Sequence, residues 1–164
     1  MRFDNLNAQR DERDVYQAVN DARVFFLGIH PELGLFNRRI EAQVSGPQFC
    51  GSVYWTGHIL LDREGDGCAN MSEIMSVAYH EYGHALTEFI YGHFLSWDLD
   101  EGNSDVLSNL LTRESAIFRG YYLGNCTEPY RGSDNDMQYP DGNHWQVRVR
   151  NNGGAWRTLE ETNI

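Results

Sequence analysis

The sequence predicts an α+β fold, with a small mixed sheet packed on one side of a central helix and then a mainly helical, loop-rich half. Three observations predict it. Residues 11–29 place apolar side chains at helical spacing on one face. Residues 52–61 (SVYWTGHILL) are dense in β-branched and aromatic residues. Residues 70–91 carry apolar side chains around most of a helical axis, the mark of a buried central helix.

In the first helix, Val15, Ala18, Val19, Ala22, Phe25, Phe26 and Ile29 form the apolar face, and His30-Pro31 with Gly34 stops it. Arg39 to Val44 reads as a short strand ended by Ser45-Gly46-Pro47. Ser52 to Leu61 reads as a single strand bent at Gly57, and Asp62 to Cys68 as a turn. Asn70 and Glu73 form a candidate capping box for a helix running to Tyr91, with Gly92 as its stop. Another helix is expected over about Leu99 to Arg113. From Gly120 onward Gly, Asn, Asp and Pro dominate, which predicts loops. A length of 164 fits one domain, 1–164, with an upper part to about residue 95 and a lower part from about 96 to 164.

All 13 basic residues are arginine. The lack of lysine excludes Schiff-base chemistry, a pyridoxal-phosphate anchor, a P-loop and a kinase site. A net charge of −11 argues against nucleic acid or an anionic membrane as partner. The charge is uneven: ten acids and one arginine between Asp62 and Asp105 give −9. That suits either cation binding or a solvated acidic face. No apolar run is long enough for a bilayer, and no signal peptide follows Met1. Cys50, Cys68 and Cys126 lack thiolate-zinc spacing. Cys50 and Cys68 flank a hairpin-like segment and are candidates for a disulfide, with buried free thiols as the alternative.

The chemistry concentrates at His80-Glu81-Tyr82-Gly83-His84, an HExxH match. Positions i and i+4 share a helical face, so both imidazoles reach one ion. Glu81 projects beside them, where it can take a proton from an attacking water. Two histidines and a glutamate in so apolar a helix are costly without a metal. Glu101 follows His84 by 17 residues and opens the next helix. It completes a His-His-Glu zinc set that leaves the fourth position open. Asp105, one turn on, is placed to accept from a ligating imidazole. The plain alternative is a chance motif with ordinary acids on helical surfaces.

The segments VAYHEYGHALTEF and DEGNSDVLSNLL resemble the gluzincin zinc metallopeptidases, closer to the fungalysin-like branch than to thermolysin itself. GDGCAN and YRGSDNDMQYP are similar to that branch as well. The resemblance covers most of the chain. It implies a zincin-like fold and peptide-bond hydrolysis, with Zn2+ on His80, His84 and Glu101. It implies Glu81 as general base and Asp105 as partner to a ligand. It further implies an extended peptide or protein substrate paired to the Ser52–Leu61 strand, Arg131 as a contact to substrate carbonyls, and secretion.

The chain also departs from that family. Where the branch carries an oxyanion-stabilising histidine shortly before a segment like NGGAW, this sequence has Arg150, with Arg148 as second choice. It then ends at Ile164, so the lower half looks short. Losing one oxyanion donor costs about 2.7–4 kcal/mol of transition-state stabilisation. An alternative reading is therefore a zinc-binding, weakly active or inactive protease-like interaction domain. His30, His58, His93 and His144 read as structural or surface residues. Asp62, Asp66, Asp98, Asp100, Asp134, Asp136 and Asp141 suggest Ca2+ by composition, but they lack EF-hand spacing, and a solvated surface is the favoured reading. Asn70-Met71-Ser72 and Asn125-Cys126-Thr127 are formal glycosylation sequons.

Overall fold

The computed structural model describes residues 7–92, 97–132, 147–149 and 157–159. The chain divides into two compact units, 1–133 and 134–164. In the first unit, helices α1 (Arg10–Ile29), α2 (Met75–Tyr91) and α3 (Trp97–Thr112) accompany strands β1 (Glu41–Phe49), β2 (Ser52–Trp55) and β3 (His58–Arg63). A short pair, β4 (Ala116–Ile117) and β5 (Arg131–Gly132), lies after α3. In the second unit, β6 (Val147–Val149) pairs antiparallel with β7 (Arg157–Leu159). The molecule is thus mixed α and β, with three helices and small sheets among the described residues.

The main sheet has the order β1-β3-β2. β1 runs parallel to β3 and β2 antiparallel to it, so the sheet is mixed. The single strand expected over Ser52–Leu61 is in fact a hairpin. Thr56 and Gly57 have φ of 43° and 85°, the positive pair that a type I′ turn requires, and Trp55 lies opposite His58. A continuous apolar run hides such a turn, because Thr56 is a poor turn residue by composition. β1 also outruns its expected end at Val44. It passes through Ser45-Gly46-Pro47 with register shifts on either side of Gly46, so the breaker residues make bulges in a continuing strand.

The helix expected from Asn70 starts later. Met71–Glu73 is a 3-10 turn, and Ile74 is extended (φ −107°, ψ 95°) before α2 begins at Met75. Asn70 does cap, accepting from the Ser72 N–H at 3.0 Å, but it caps the 3-10 turn. Glu73 pairs with Arg10 at 3.2 Å and does not close a capping box on α2. Met71 and Ile74 are both buried. Gly92, at φ 72°, ends α2 as expected, its N–H reaching the Glu88 carbonyl at 2.8 Å.

α2 lies at the centre of the core. Val77, Ala78, Tyr82 and Ala85 pack with Val15, Ala18 and Ala22 of α1 and with Ile59 and Leu61 of β3. Phe26 stacks on Tyr82 at 6.5 Å. On its other side α2 meets α3. A β-carbon on Gly83 would lie 2.6 Å from Ser104 Cα, so only glycine allows this approach. Cys50 and Cys68 form a disulfide that ties the β1–β2 connection to the loop before α2. Cys126 is a free, exposed thiol.

Candidate metal centre

The close α2–α3 approach brings three candidate ligands together. His80 and His84, one turn apart on α2, place their Nε2 atoms 3.1 Å from each other. Glu101, in the first turns of α3, reaches both. Its Oε2 lies 3.2 Å from His80 Nε2 and its Oε1 3.5 Å from His84 Nε2. Among the described residues these three form the group whose geometry could hold a metal ion. The acids Asp62 and Asp66, considered for calcium, join no such group, and Asp134, Asp136 and Asp141 lie outside the described residues. His80 and His84 are buried, at 3 % and 9 % exposure, while Glu101 is half-buried.

The far ring nitrogens are held by carboxylates. His80 Nδ1 is 2.8 Å from Asp105 Oδ1, and His84 Nδ1 is 3.0 Å from Asp100 Oδ2. Asp105 is where the helical spacing put it. Asp100 was grouped by sequence with candidate calcium acids, and the structure instead places it, buried, behind His84. Its signal in the sequence was adjacency to Glu101, which becomes meaningful only when α3 is docked on α2.

Arg131, from β5, donates Nε to Asp105 Oδ2 at 2.8 Å and Nη2 to Asp105 Oδ1 at 2.6 Å. Its Nη2 is also 3.5 Å from Glu101 Oε2. The guanidinium lies over the rings of Phe118 and Tyr130. Phe118 in turn meets His80 edge-on at 5.2 Å. Arg150 lies outside the described residues, as do His93 and His144. His58 is exposed at the start of β3, 3.3 Å from Glu41, away from the metal group.

These contacts set the charges. Burial pushes the His80 imidazole down, but Asp105, Glu101 and Glu81 outweigh it and raise it to about 9. Contact with His80 holds the Glu101 carboxyl low against the opposing effect of burial. Burial pushes Asp105 up, and His80 and Arg131 more than offset that, so it too stays low. Glu81 goes the other way. Burial raises its carboxyl despite His80, the Ser52 hydroxyl and His84. It is 2 % exposed, and its Oε2 has no hydrogen-bond partner among the described residues. A buried carboxylate oxygen without a partner calls for a further group in the cavity.

That cavity, of about 720 Å³, is lined by Ser52 to Trp55, by His80, Glu81, His84, Glu101 and Arg131, and by the aromatic cluster Phe118, Tyr121 and Tyr130. Tyr121 and Tyr130 are 4.5 Å apart. The sequence reading missed this cluster, because its members are scattered over a loop-like stretch.

No protein-family model matches the chain, and no curated protein matches it by sequence. Among solved structures, the chain is similar to the precursor of protealysin, a metalloproteinase from Serratia proteamaculans. The TM-score is 0.61 at 19 % identity, over 71 % of this chain and 41 % of that one. The chain therefore shares its fold with part of a metalloproteinase precursor and spans less than half of that protein's length.

Proposed function

We propose that the chain is a zinc-dependent endopeptidase of gluzincin type. The observation that carries this is the donor triangle. Zinc bonds of about 2.0–2.2 Å at tetrahedral angles put neighbouring ligand atoms about 3.3–3.6 Å apart. Here the two imidazole Nε2 atoms are 3.1 Å apart, Glu101 Oε2 lies 3.2 Å from that of His80 and Glu101 Oε1 3.5 Å from that of His84, and one ligand atom from each residue falls within 4.8 Å of the other two. Two neutral imidazoles and one carboxylate would suit that ion, and all three residues line the cavity. Fold likeness to a metalloproteinase precursor supports the same reading.

Bound there, zinc supplies a Lewis acid that polarises a carbonyl and makes water nucleophilic near neutral pH. The remaining work belongs to side chains. Glu81 Oε2, unpartnered and walled in, takes the proton of the attacking water and returns it to the leaving amine. Its raised affinity for protons fits that carrier role. Asp105 and Asp100 keep His80 and His84 oriented. Arg131, locked on Asp105, faces the cavity and donates to a substrate carbonyl. The free edge of β2 receives an extended peptide by strand addition. The Cys50–Cys68 disulfide supports an oxidising, extracytoplasmic setting. Among the described residues no helix is long and apolar enough to cross a membrane.

The test is Glu81→Gln, compared with wild type for zinc content and casein cleavage. The variant keeps about one zinc per chain and loses cleavage at least about 100-fold. Wild type without zinc after reconstitution, or a fully active Glu81→Gln, ends this reading.

A further inference from the structure

The outer strand of the main sheet carries a fastening that the catalytic chemistry does not use. β2 has four residues, Ser52–Trp55, and among the described residues β3 is its one strand neighbour. Val53 and Trp55 are exposed, Trp55 at 73 %, while Tyr54 between them is buried. The Tyr54 hydroxyl donates to Glu88 Oε2 at 2.6 Å and accepts from the Gly57 N–H at 2.8 Å. Gly57 is the second residue of the turn that closes the hairpin. Glu88 lies on α2 one turn beyond His84, which lies one turn beyond His80. One hydroxyl thus joins the turn at the end of β2 to the helical face that carries the metal ligands.

So short an edge strand takes its position from what holds its ends. At the Ser52 end, the chain is fastened by the Cys50–Cys68 disulfide and by the Tyr121 hydroxyl, which donates to the Cys50 carbonyl at 2.8 Å. At the Trp55 end, the fastening is Tyr54. A phenylalanine would fill the same space without bringing a polar group into the core. The hydroxyl therefore needs a reason beyond packing. Burial and the Glu88 carboxylate both push its pKa up, so it remains a proton donor at any working pH.

We infer that Tyr54 is a positioning residue: through Glu88 and Gly57 it fixes the outer end of β2 against α2, so that a peptide paired to that edge has its carbonyl held over His80, His84 and Glu101. The inference rests on the peptidase reading above. Displacement of a reacting carbonyl by about 1 Å costs on the order of 100-fold, so the height of the edge strand matters directly. A ligand too short to run along β2 does not use this device.

The test compares wild type with Tyr54→Phe and Glu88→Gln, the latter keeping an acceptor for the hydroxyl. Zinc content, amide exchange over Val53–Gly57, and kinetics on a hexapeptide and a blocked dipeptide are measured. Tyr54→Phe is expected to keep its zinc and to speed exchange in β2 and its turn. It lowers kcat/KM about tenfold on the hexapeptide, mainly through kcat, and less than about twofold on the dipeptide. Glu88→Gln stays near wild type in both. Unchanged exchange in Tyr54→Phe overturns the inference, and so do equal losses on the two substrates. A wild type that binds zinc but cleaves neither peptide removes the peptidase reading instead. The exchange measurement then decides by itself whether Tyr54 holds the edge.

Discussion

At the scale of single side chains, His80 and His84 are held from behind by acids of different origin. Asp105 lies four residues beyond Glu101 and is shared with Arg131; Asp100 adjoins Glu101 and is buried. Asp100→Asn is expected to lower zinc affinity about 10–100-fold with the fold intact, read by chelator competition alongside circular dichroism. An unchanged affinity would show that the His84–Asp100 contact orients nothing. Protonation adds a second expectation. In the metal-free chain, His80 titrates near 9, above its ordinary 6.5. The stability that its protonated form contributes is therefore full below about 6.5 and lost as pH rises through about 9. Zinc must displace that proton, so affinity should rise about tenfold per pH unit between 7 and 9. Titration of zinc affinity against pH checks it, and a flat profile over that interval rejects a protonated His80.

At the scale of elements, the site depends on how closely two helices approach. Ser104 packs on Gly83 with no room for a β-carbon, which brings Glu101 and Asp105 within reach of α2. Alanine at 83 favours an isolated helix by about 1 kcal/mol. Overpacking against α3 opposes it, costing about 1–3 kcal/mol, and the ligand triangle opens. Gly83→Ala should therefore lower the melting temperature of the zinc-bound chain by several degrees and weaken zinc binding more than Asp100→Asn does. Equal stability with wild-type zinc affinity would mean that the helices have slack. The element scale also shows what a local reading sees. The i, i+4 spacing of His80 and His84, and of Glu101 and Asp105, was legible because a helix imposes it. The hairpin turn at Thr56-Gly57 and the break at Ile74 were not. The first lies in the left-handed backbone of Thr56 and Gly57 inside a continuous apolar run, and the second in the extended backbone of Ile74 between a 3-10 turn and α2.

At the scale of the whole molecule, the Cys50–Cys68 bridge closes a loop of 18 residues that contains β2 and β3. Replacing both cysteines by serine should cost about 3 kcal/mol of stability. The proposed metal ligands all lie on α2 and α3, outside that loop, so zinc content should persist while turnover of extended peptides falls. Denaturant melts and zinc analysis of the double variant read both parts, and joint loss of zinc would show that the sheet holds the helices in place. The acidic block between Asp62 and Asp105 also takes on structure. Glu81, Asp100, Glu101 and Asp105 surround the metal group, Glu73 pairs with Arg10, and Glu88 anchors Tyr54.

The sequence by itself determined which residues share a helical face, since 3.6-residue periodicity needs no knowledge of the rest of the chain. HExxH and the later Glu-Asp pair follow from that, as does the core character of α2. Only the tertiary structure decided that Asp100 backs His84, that Arg131 grips Asp105, that Phe118 and Tyr130 wall the cavity and that Tyr54 reaches Glu88. Apart from the Asp100–His84 pair, these contacts join residues 26 or more positions apart or scattered along loops, and they exist because α3 and β2 are packed on α2 and Arg131 of β5 reaches α3.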